Sequence, residues 1–454
     1  MLASVRSAAT ALLATVAIAL AGQPACASAP PVSRVEGLLP SGGRYLIEVP
    51  ENWRGALLVW SPGYVSTAGR PAANAPDAVT REWLLSHGYA LAGTQPAGSG
   101  WAVAEIMPDA VAVLDEVRAR FGRPARTMAW GSSMGGQVAA GLVQNHPERF
   151  DGALPLCGSV AGPVAMLNAG LDATWALKQL TAPGSDLELV RVTDEAARQR
   201  KGKEILDAAQ ATSQGRARIA LAASFAQLST WSVAGTPKPA PGDHAAQQEQ
   251  QYQAFMWAAF SPRQPLEQRA GGNFSWNDGV DYRSLLARSG TARQVKALYR
   301  EAGLSLADDL ATLAGAPRIT ADPAAVAYMA ANVTPTGELR DPVFTLHETG
   351  DNAPTVVQAE AYADAVRGMG GGRLLRQAFV DRPGHCGYRP SEIIVSALTL
   401  ERRITGRAWP ETRAATLNRL GAALDAASPL DLGTPGFAEH RPGNMLRPYA
   451  PDRR

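Results

Sequence analysis

Ser133 is the central residue of Gly131-Ser132-Ser133-Met134-Gly135, a G-x-S-x-G pattern. A short apolar run precedes it and an amphipathic run follows, so the serine falls on a strand-to-helix turn. Such a turn holds the serine in a strained backbone with its oxygen exposed. The flanking positions must be small for the turn to close. The start of the following helix favours negative charge developing beside it. The chemistry this allows is acyl transfer by hydroxyl attack on a carbonyl. A serine hydroxyl needs a base at neutral pH, a carboxylate to orient that base, and two N–H donors for the oxyanion. Six histidines are on offer: His87, His146, His244, His347, His385 and His440.

The elements that must carry these groups are legible as alternating patterns. Short apolar runs at 44–49, 56–60, 89–94, 127–130, 153–156, 343–347 and 374–380 read as strands. Several are apolar on both faces, as in a parallel sheet covered by helices. Residues 109–121 place Val111, Leu114, Val117 and Phe121 on one helical face, with Asp115, Glu116, Arg118 and Arg120 opposite. Residues 137–145 form a second helix with Val138, Leu142 and Val143 inward. The fold class is α/β, a doubly wound, mostly parallel sheet. The alternation stops near Gly162 and resumes near Asp341. Helices are expected between at 164–180, 186–210, 215–231, 244–260, 292–302, 307–313 and 323–331. The division is therefore a core of 28–161 and 342–428, a helical cap insertion of 162–341, and a Pro-rich tail of 429–454 on the surface. Two helices, 391–405 and 411–426, close the core. The stretch Gly271-Gly272-Asn273-Phe274-Ser275-Trp276-Asn277-Asp278-Gly279 is either a loop facing the site or a rigid turn packing the cap down.

With a strand, this glycine-flanked serine and a helix in sequence, the chain resembles the α/β-hydrolase superfamily of secreted serine esterases, lipases and peptidases. The resemblance spans 44–150 and 341–405. It implies that the acid and the histidine follow the serine, on loops after later strands. His385, in Asp381-Arg382-Pro383-Gly384-His385-Cys386-Gly387 after the last strand, fits the base. Asp351 follows the preceding strand in Glu348-Thr349-Gly350-Asp351-Asn352 and is the first choice for the acid, with Glu348 and Asp381 as alternatives. The oxyanion donors would be the N–H of Met134 and that of Tyr64. Ser61-Pro62-Gly63-Tyr64 is similar to the family's H-G-x turn, with Pro62 in place of histidine; proline has no N–H to give. No cofactor is implied.

A cysteine directly after the histidine is similar to the tannase and feruloyl esterase group. That group pairs it with a cysteine just before the serine, where this chain has Ser132. In the expected fold Cys157 and Cys386 both reach the carboxyl edge of the sheet, so a Cys157–Cys386 disulfide is expected.

Residues 1–27 read as a secretory signal: Arg6, an apolar stretch from Ala8 to Gly22, and Ala25-Cys26-Ala27 as the cleavage site. A lipoprotein reading would use Cys26. Cleavage after Ala27 leaves an even pair of the three cysteines, as suits a secreted or periplasmic protein. No later apolar run is long enough for a transmembrane segment. With 43 basic against 41 acidic residues and no basic run, nucleic acid is excluded as a partner. No H-E-x-x-H or C-x-x-C suggests a metal.

The sequence therefore predicts a secreted serine hydrolase acting on a small-molecule or polymer ester. The alternative is a peptidase of the aminopeptidase type, whose cap acids would be Glu267 and Asp278. A non-catalytic binding module would have a broken triad. The cap aromatics Trp175, Trp231, Tyr252, Phe255, Trp257, Phe274 and Trp276 are core or cavity lining. Oligomeric state is not readable.

Overall fold

The structure is a computed structural model and describes residues 30–332 and 334–450. The expected signal at 1–27 lies outside the described residues. Among these residues one sheet contains β1 (Val32–Leu38), β2 (Arg44–Pro50), β3 (Ala56–Ser61), β4 (Tyr89–Gln95), β5 (Arg126–Ser132), β6 (Gly152–Leu156), β7 (Val343–Gly350), β8 (Leu375–Pro383) and β9 (Phe437–Ala438). Their spatial order is β1-β2-β4-β3-β5-β6-β7-β8-β9. The strands from β4 to β8 in that order are parallel. β1, β2 and β9 join antiparallel.

The parallel strands are buried because successive residues serve opposite faces. Leu57 and Val59 pack with the helices Val103–Phe121 and Met134–Asn145. Leu58 and Trp60 pack on the other face with the helices Ala78–Ser86 and Pro390–Gly406. Every strand expected from the sequence is present. β1 and β9 were not expected: β1 is exposed along most of its length and has no apolar run, and β9 is two residues long.

Between β6 and β7 lie the helices Pro163–Thr181, Glu195–Gln210, Ser213–Phe225, His244–Ala259, Gln264–Ala270, Tyr282–Arg288, Ala292–Glu301, Leu306–Gly315 and Pro323–Ala331. They enclose a core of their own around Trp175, Phe225, Phe255, Phe260 and Tyr299. The helix expected over 186–210 begins only at Glu195, where the Asp194 side chain accepts from the Ala197 N–H and caps it. The one expected over 215–231 stops at Phe225, since Gln227 turns left-handed at φ 54°. The Gly271–Gly279 stretch is a rigid turn: buried Asn273 binds Arg263, Ser275 O and Thr320 O. Among the described residues no helix is long and apolar enough to cross a membrane.

The tail does not lie idle on the surface. Leu432, Phe437, Met445 and Leu446 are buried. Arg447 reaches into the helical layer, 2.6 Å from Asp172 Oδ2. Asp172 is fully buried, accepts from the Tyr282 hydroxyl at 2.8 Å, and is pushed up to about 6 by burial. Arg447→Met strands that carboxylate and is expected to cost about 3–5 kcal/mol in denaturant unfolding at pH 7. The folded state binds Asp172's proton more tightly than the unfolded one. Stability therefore falls as pH rises from about 4 through about 6, and in the variant, which loses Arg447's lowering effect on Asp172, the fall continues to higher pH.

Candidate active site

Ser133 joins β5 to the helix Met134–Asn145 with φ 58° and ψ −121°. A Cβ at Gly131 would strike Gly135 O, and one at Gly135 would strike Ser61 O, so the turn requires both glycines. Ser133 N–H donates to Leu156 O at 2.9 Å, which pins the turn to β6. Cys157 and Cys386 also adopt positive φ, at 44° and 56°. Backbone strain thus gathers at this edge of the sheet, where surrounding packing over-determines it.

His385 Nδ1 lies 2.8 Å from Asp351 Oδ2. Asp351 is 1% exposed, and its Oδ1 accepts from the Ala353 N–H at 2.9 Å. With Nδ1–H held by the carboxylate, Nε2 keeps its lone pair for a hydroxyl proton. Ser133 and His385 line one cavity. No hydrogen bond joins them among the described residues; Nε2 is 3.3 Å from Cys386 Sγ. Such contacts commonly close only when substrate is bound.

The other acids have different work. Asp381 meets Lys238 and Thr349 near the surface. Glu348 is buried, accepts from the Gly387 N–H, and is pushed well above the usual carboxylate range by burial and by Asp351's charge. It props the histidine loop through that contact. His347, which the sequence puts at the end of a strand near the site but without the freedom of a loop, is also here: its Nε2 is 2.8 Å from Pro354 O and 3.5 Å from Asp351 Oδ2. Its burial lowers its basicity. His87, His146, His244 and His440 do not line the cavity.

Gly63 packs beside the serine, with an added Cβ 3.5 Å from Ser133 Cβ. The Met134 and Tyr64 N–H groups donate to no protein acceptor among the described residues. The Tyr64 loop is braced by a bridge between Val65 and Gly100. Arg269 of the helical layer holds the far side of that bridge, 2.7 Å from Ser99 O and 2.6 Å from Glu105.

Cys157 and Cys386 are bonded across 229 residues of chain, with Cα atoms 5.4 Å apart. The bond fastens the residue after His385 to the end of β6. Replacing both cysteines by serine is expected to lower unfolding free energy by about 2–5 kcal/mol, read by denaturant titration. Denatured, unreduced wild type should show no free thiol from this pair.

The cavity has a volume of about 810 Å³. Trp101, Met166, Leu167, Met256, Phe260 and Leu266 are apolar parts of its wall, and of Trp175, Trp231, Tyr252, Phe255, Trp257, Phe274 and Trp276 it is Trp257 that reaches it. Neither lysine nor arginine lines it among the described residues. Glu195 does, but its oxygens already accept from Arg198, Gln199 and the N–H groups of Arg263 and Gln264. Sequence reasoning missed Glu195 and Gln199, because only the packing of the helical layer turns them inward. Glu267 is buried and caps the Arg191 and Val192 N–H groups. It and Asp278 are outside the cavity.

No family model matches the chain. It is 31% identical to the o-phthalyl amidase of Xanthobacter agilis over 426 residues, 86% of this chain and 92% of that one. Among solved structures, it is similar to feruloyl esterase B from Aspergillus oryzae (TM-score 0.45, 12% identity, covering 84% of this chain and 82% of that one). It is also similar to a second Aspergillus oryzae esterase (TM-score 0.42, 13% identity, 84% and 80%).

Proposed function

The chain belongs to the family of the Xanthobacter agilis o-phthalyl amidase, is a hydrolase of the α/β-hydrolase fold, and on that footing we propose that it cleaves carboxylic esters through an acyl-enzyme on Ser133. The observation that carries this reading is the 2.8 Å contact of His385 with buried Asp351 at the cavity that holds Ser133 on its strained turn. Ser133 Oγ attacks the ester carbonyl as His385 Nε2 takes its proton. The oxyanion is met by the Met134 and Tyr64 N–H groups and by the helix start behind Ser133. The tetrahedral intermediate collapses, and His385 passes the proton to the departing alkoxide. Water, deprotonated by the same nitrogen, then releases the acid. Asp351 holds the tautomer and offsets the imidazolium charge.

The cavity wall suits an apolar, uncharged acyl group. A second reading, amide cleavage at the same serine, is favoured by the relative's description as an amidase. With Glu195 fully engaged and Glu267 outside the cavity, little supports capture of a substrate amine, so the amides in question are acyl amides rather than peptides with a free N-terminus. Export completes the proposal: it rests on reading 1–27 as a secretory signal and suits a disulfide, which persists in oxidising compartments. The test is a panel of p-nitrophenyl esters against acyl-anilides and aminoacyl-anilides. Ester turnover is expected. Anilide cleavage without ester cleavage would overturn the ester reading.

A further inference from the structure

Among the described residues, the aromatic side chains that stand out as exposed large hydrophobics are Tyr64, at 36%, and Trp257, at 53%. Both line the active cavity. They stand at its two chemical ends. Tyr64 belongs to the loop packed beside Ser133. Trp257 lies with its ring centroid 5.2 Å from the His385 imidazole, tilted by 57°. It projects from the helix His244–Ala259, whose Phe255 is wholly buried in the helical layer. Of the three aromatics of this helix, Phe255 is spent on packing, Tyr252 donates its hydroxyl to Asp207, and Trp257 is left uncovered over the catalytic base. The indole N–H meets no acceptor among the described residues, so one edge of the ring is also free to donate.

We propose that Trp257 forms the wall of the leaving-group subsite and selects a planar aromatic alcohol or amine. The inference rests on the Ser133–His385 reading above and deepens it. The group that departs must receive its proton from His385 Nε2, so its oxygen or nitrogen lies within hydrogen-bond reach of that atom. The acyl carbonyl points the other way, to Met134 and Tyr64. Whatever is attached to the departing atom therefore meets the side chains beside His385 on the cavity side, and among these Cys386 and Ala353 are small while Trp257 offers the one broad face. Offset or tilted aromatic pairs are favourable at ring separations of roughly 4.5–7 Å, and an aryl group would cover indole surface now left to water. Once the acyl-enzyme has formed, the aryl product leaves and water takes its place. Trp257 then has nothing left to hold, so its effect belongs to acylation alone.

A different role would leave a different trace. Were the indole face chiefly stabilising the imidazolium, its loss would slow acylation and deacylation alike, whatever the leaving group. The experiment compares phenyl butyrate, ethyl butyrate and butyranilide, which deliver one acyl group, in wild type, Trp257→Ala and Trp257→Phe. The value of kcat/KM reports acylation. The steady phase after a p-nitrophenyl butyrate burst reports deacylation. Trp257→Ala should lower kcat/KM for the phenyl ester and the anilide by about 10- to 100-fold, because binding energy at the remote group is used in the acylation transition state. Ethyl butyrate should change by less than about threefold on the same argument. Deacylation should be unaltered, and Trp257→Phe should restore most of the aryl preference. Equal losses on the phenyl and ethyl esters, or slowed deacylation, would overturn the subsite in favour of action on His385. No change on any substrate would also overturn it. Failure of the underlying reading looks different: turnover surviving in Ser133→Ala, or none by wild type on any of the three, removes the hydrolytic site and the subsite together.

Discussion

Ser133→Ala is expected to lower kcat by about ten-thousand- to a million-fold, the span seen when a nucleophile that works as a unit with its base is removed. The fold should not notice. The Ser133 side chain caps nothing at the start of its helix. Alanine has the same difficulty as serine at φ 58°, so no strain is added or relieved. A melting temperature close to wild type beside near-complete loss of turnover is the expected pair of results, measured by calorimetry and by p-nitrophenyl ester hydrolysis. A large fall in melting temperature would mean that the serine is there for structure.

The second large effect concerns Asp351, the proposed orienting acid. Asp351→Asn is expected to reduce kcat by about ten-thousand-fold with little change in KM. An amide at this position offers an N–H where His385 Nδ1 now meets Oδ2, which favours the tautomer with its proton on the wrong nitrogen. The Ala353 N–H can still be accepted by the amide oxygen, so the loop should hold its shape. Two neighbouring acids serve as comparisons. Glu348→Gln keeps an acceptor for the Gly387 N–H, and burial already pushes this carboxyl toward its neutral form, so kcat should stay within about threefold of wild type. Asp381→Asn loosens only partly exposed contacts to Lys238 and Thr349 and should be equally mild. If Glu348→Gln were the crippling change, the acid would have been assigned to the wrong side of the loop.

The parts of this molecule that speak in the sequence are those that local chemistry dictates. β3 to β8 are apolar because both faces are covered, and the turn at Ser133 needs its glycines because backbone atoms crowd Gly131 and Gly135. Asp351, His385 and the two cysteines could be named because each falls on a loop at the carboxyl edge of a strand that could be read. What could not be read depends on contacts distant in sequence. The helix Val357–Gly368 escaped notice because a glutamine and two alanines on its buried face, Gln358, Ala359 and Ala363, blur the periodicity. The tail places Phe437, Met445 and Leu446 at spacings that match neither a helix nor a strand. Phe437 is buried because β9 pairs with β8 and its N–H is held by Asn418, and Met445 and Leu446 because Arg447 and Gln227 tie that segment to the helical layer. The sequence put His347 at a strand end near the site but gave it no partner. Only the turn from β7 back to Pro354 brings it against Asp351. Among the aromatics of the helical layer, sequence could not say that Trp175 and Phe255 turn into the core while Trp257 turns out over His385. That choice is made by how whole helices pack.

The central claim is that Ser133 is the nucleophile, and the direct measurement is where a covalent acyl-site probe lands. Wild type and Ser133→Ala would be treated with diethyl p-nitrophenyl phosphate, followed by intact and peptide mass spectrometry alongside residual activity. The structure predicts one diethylphosphoryl group per chain on the peptide bearing Ser133, in step with loss of activity, and none on Ser133→Ala. Inactivation of wild type with the label on another residue, or equal labelling of Ser133→Ala, would contradict it.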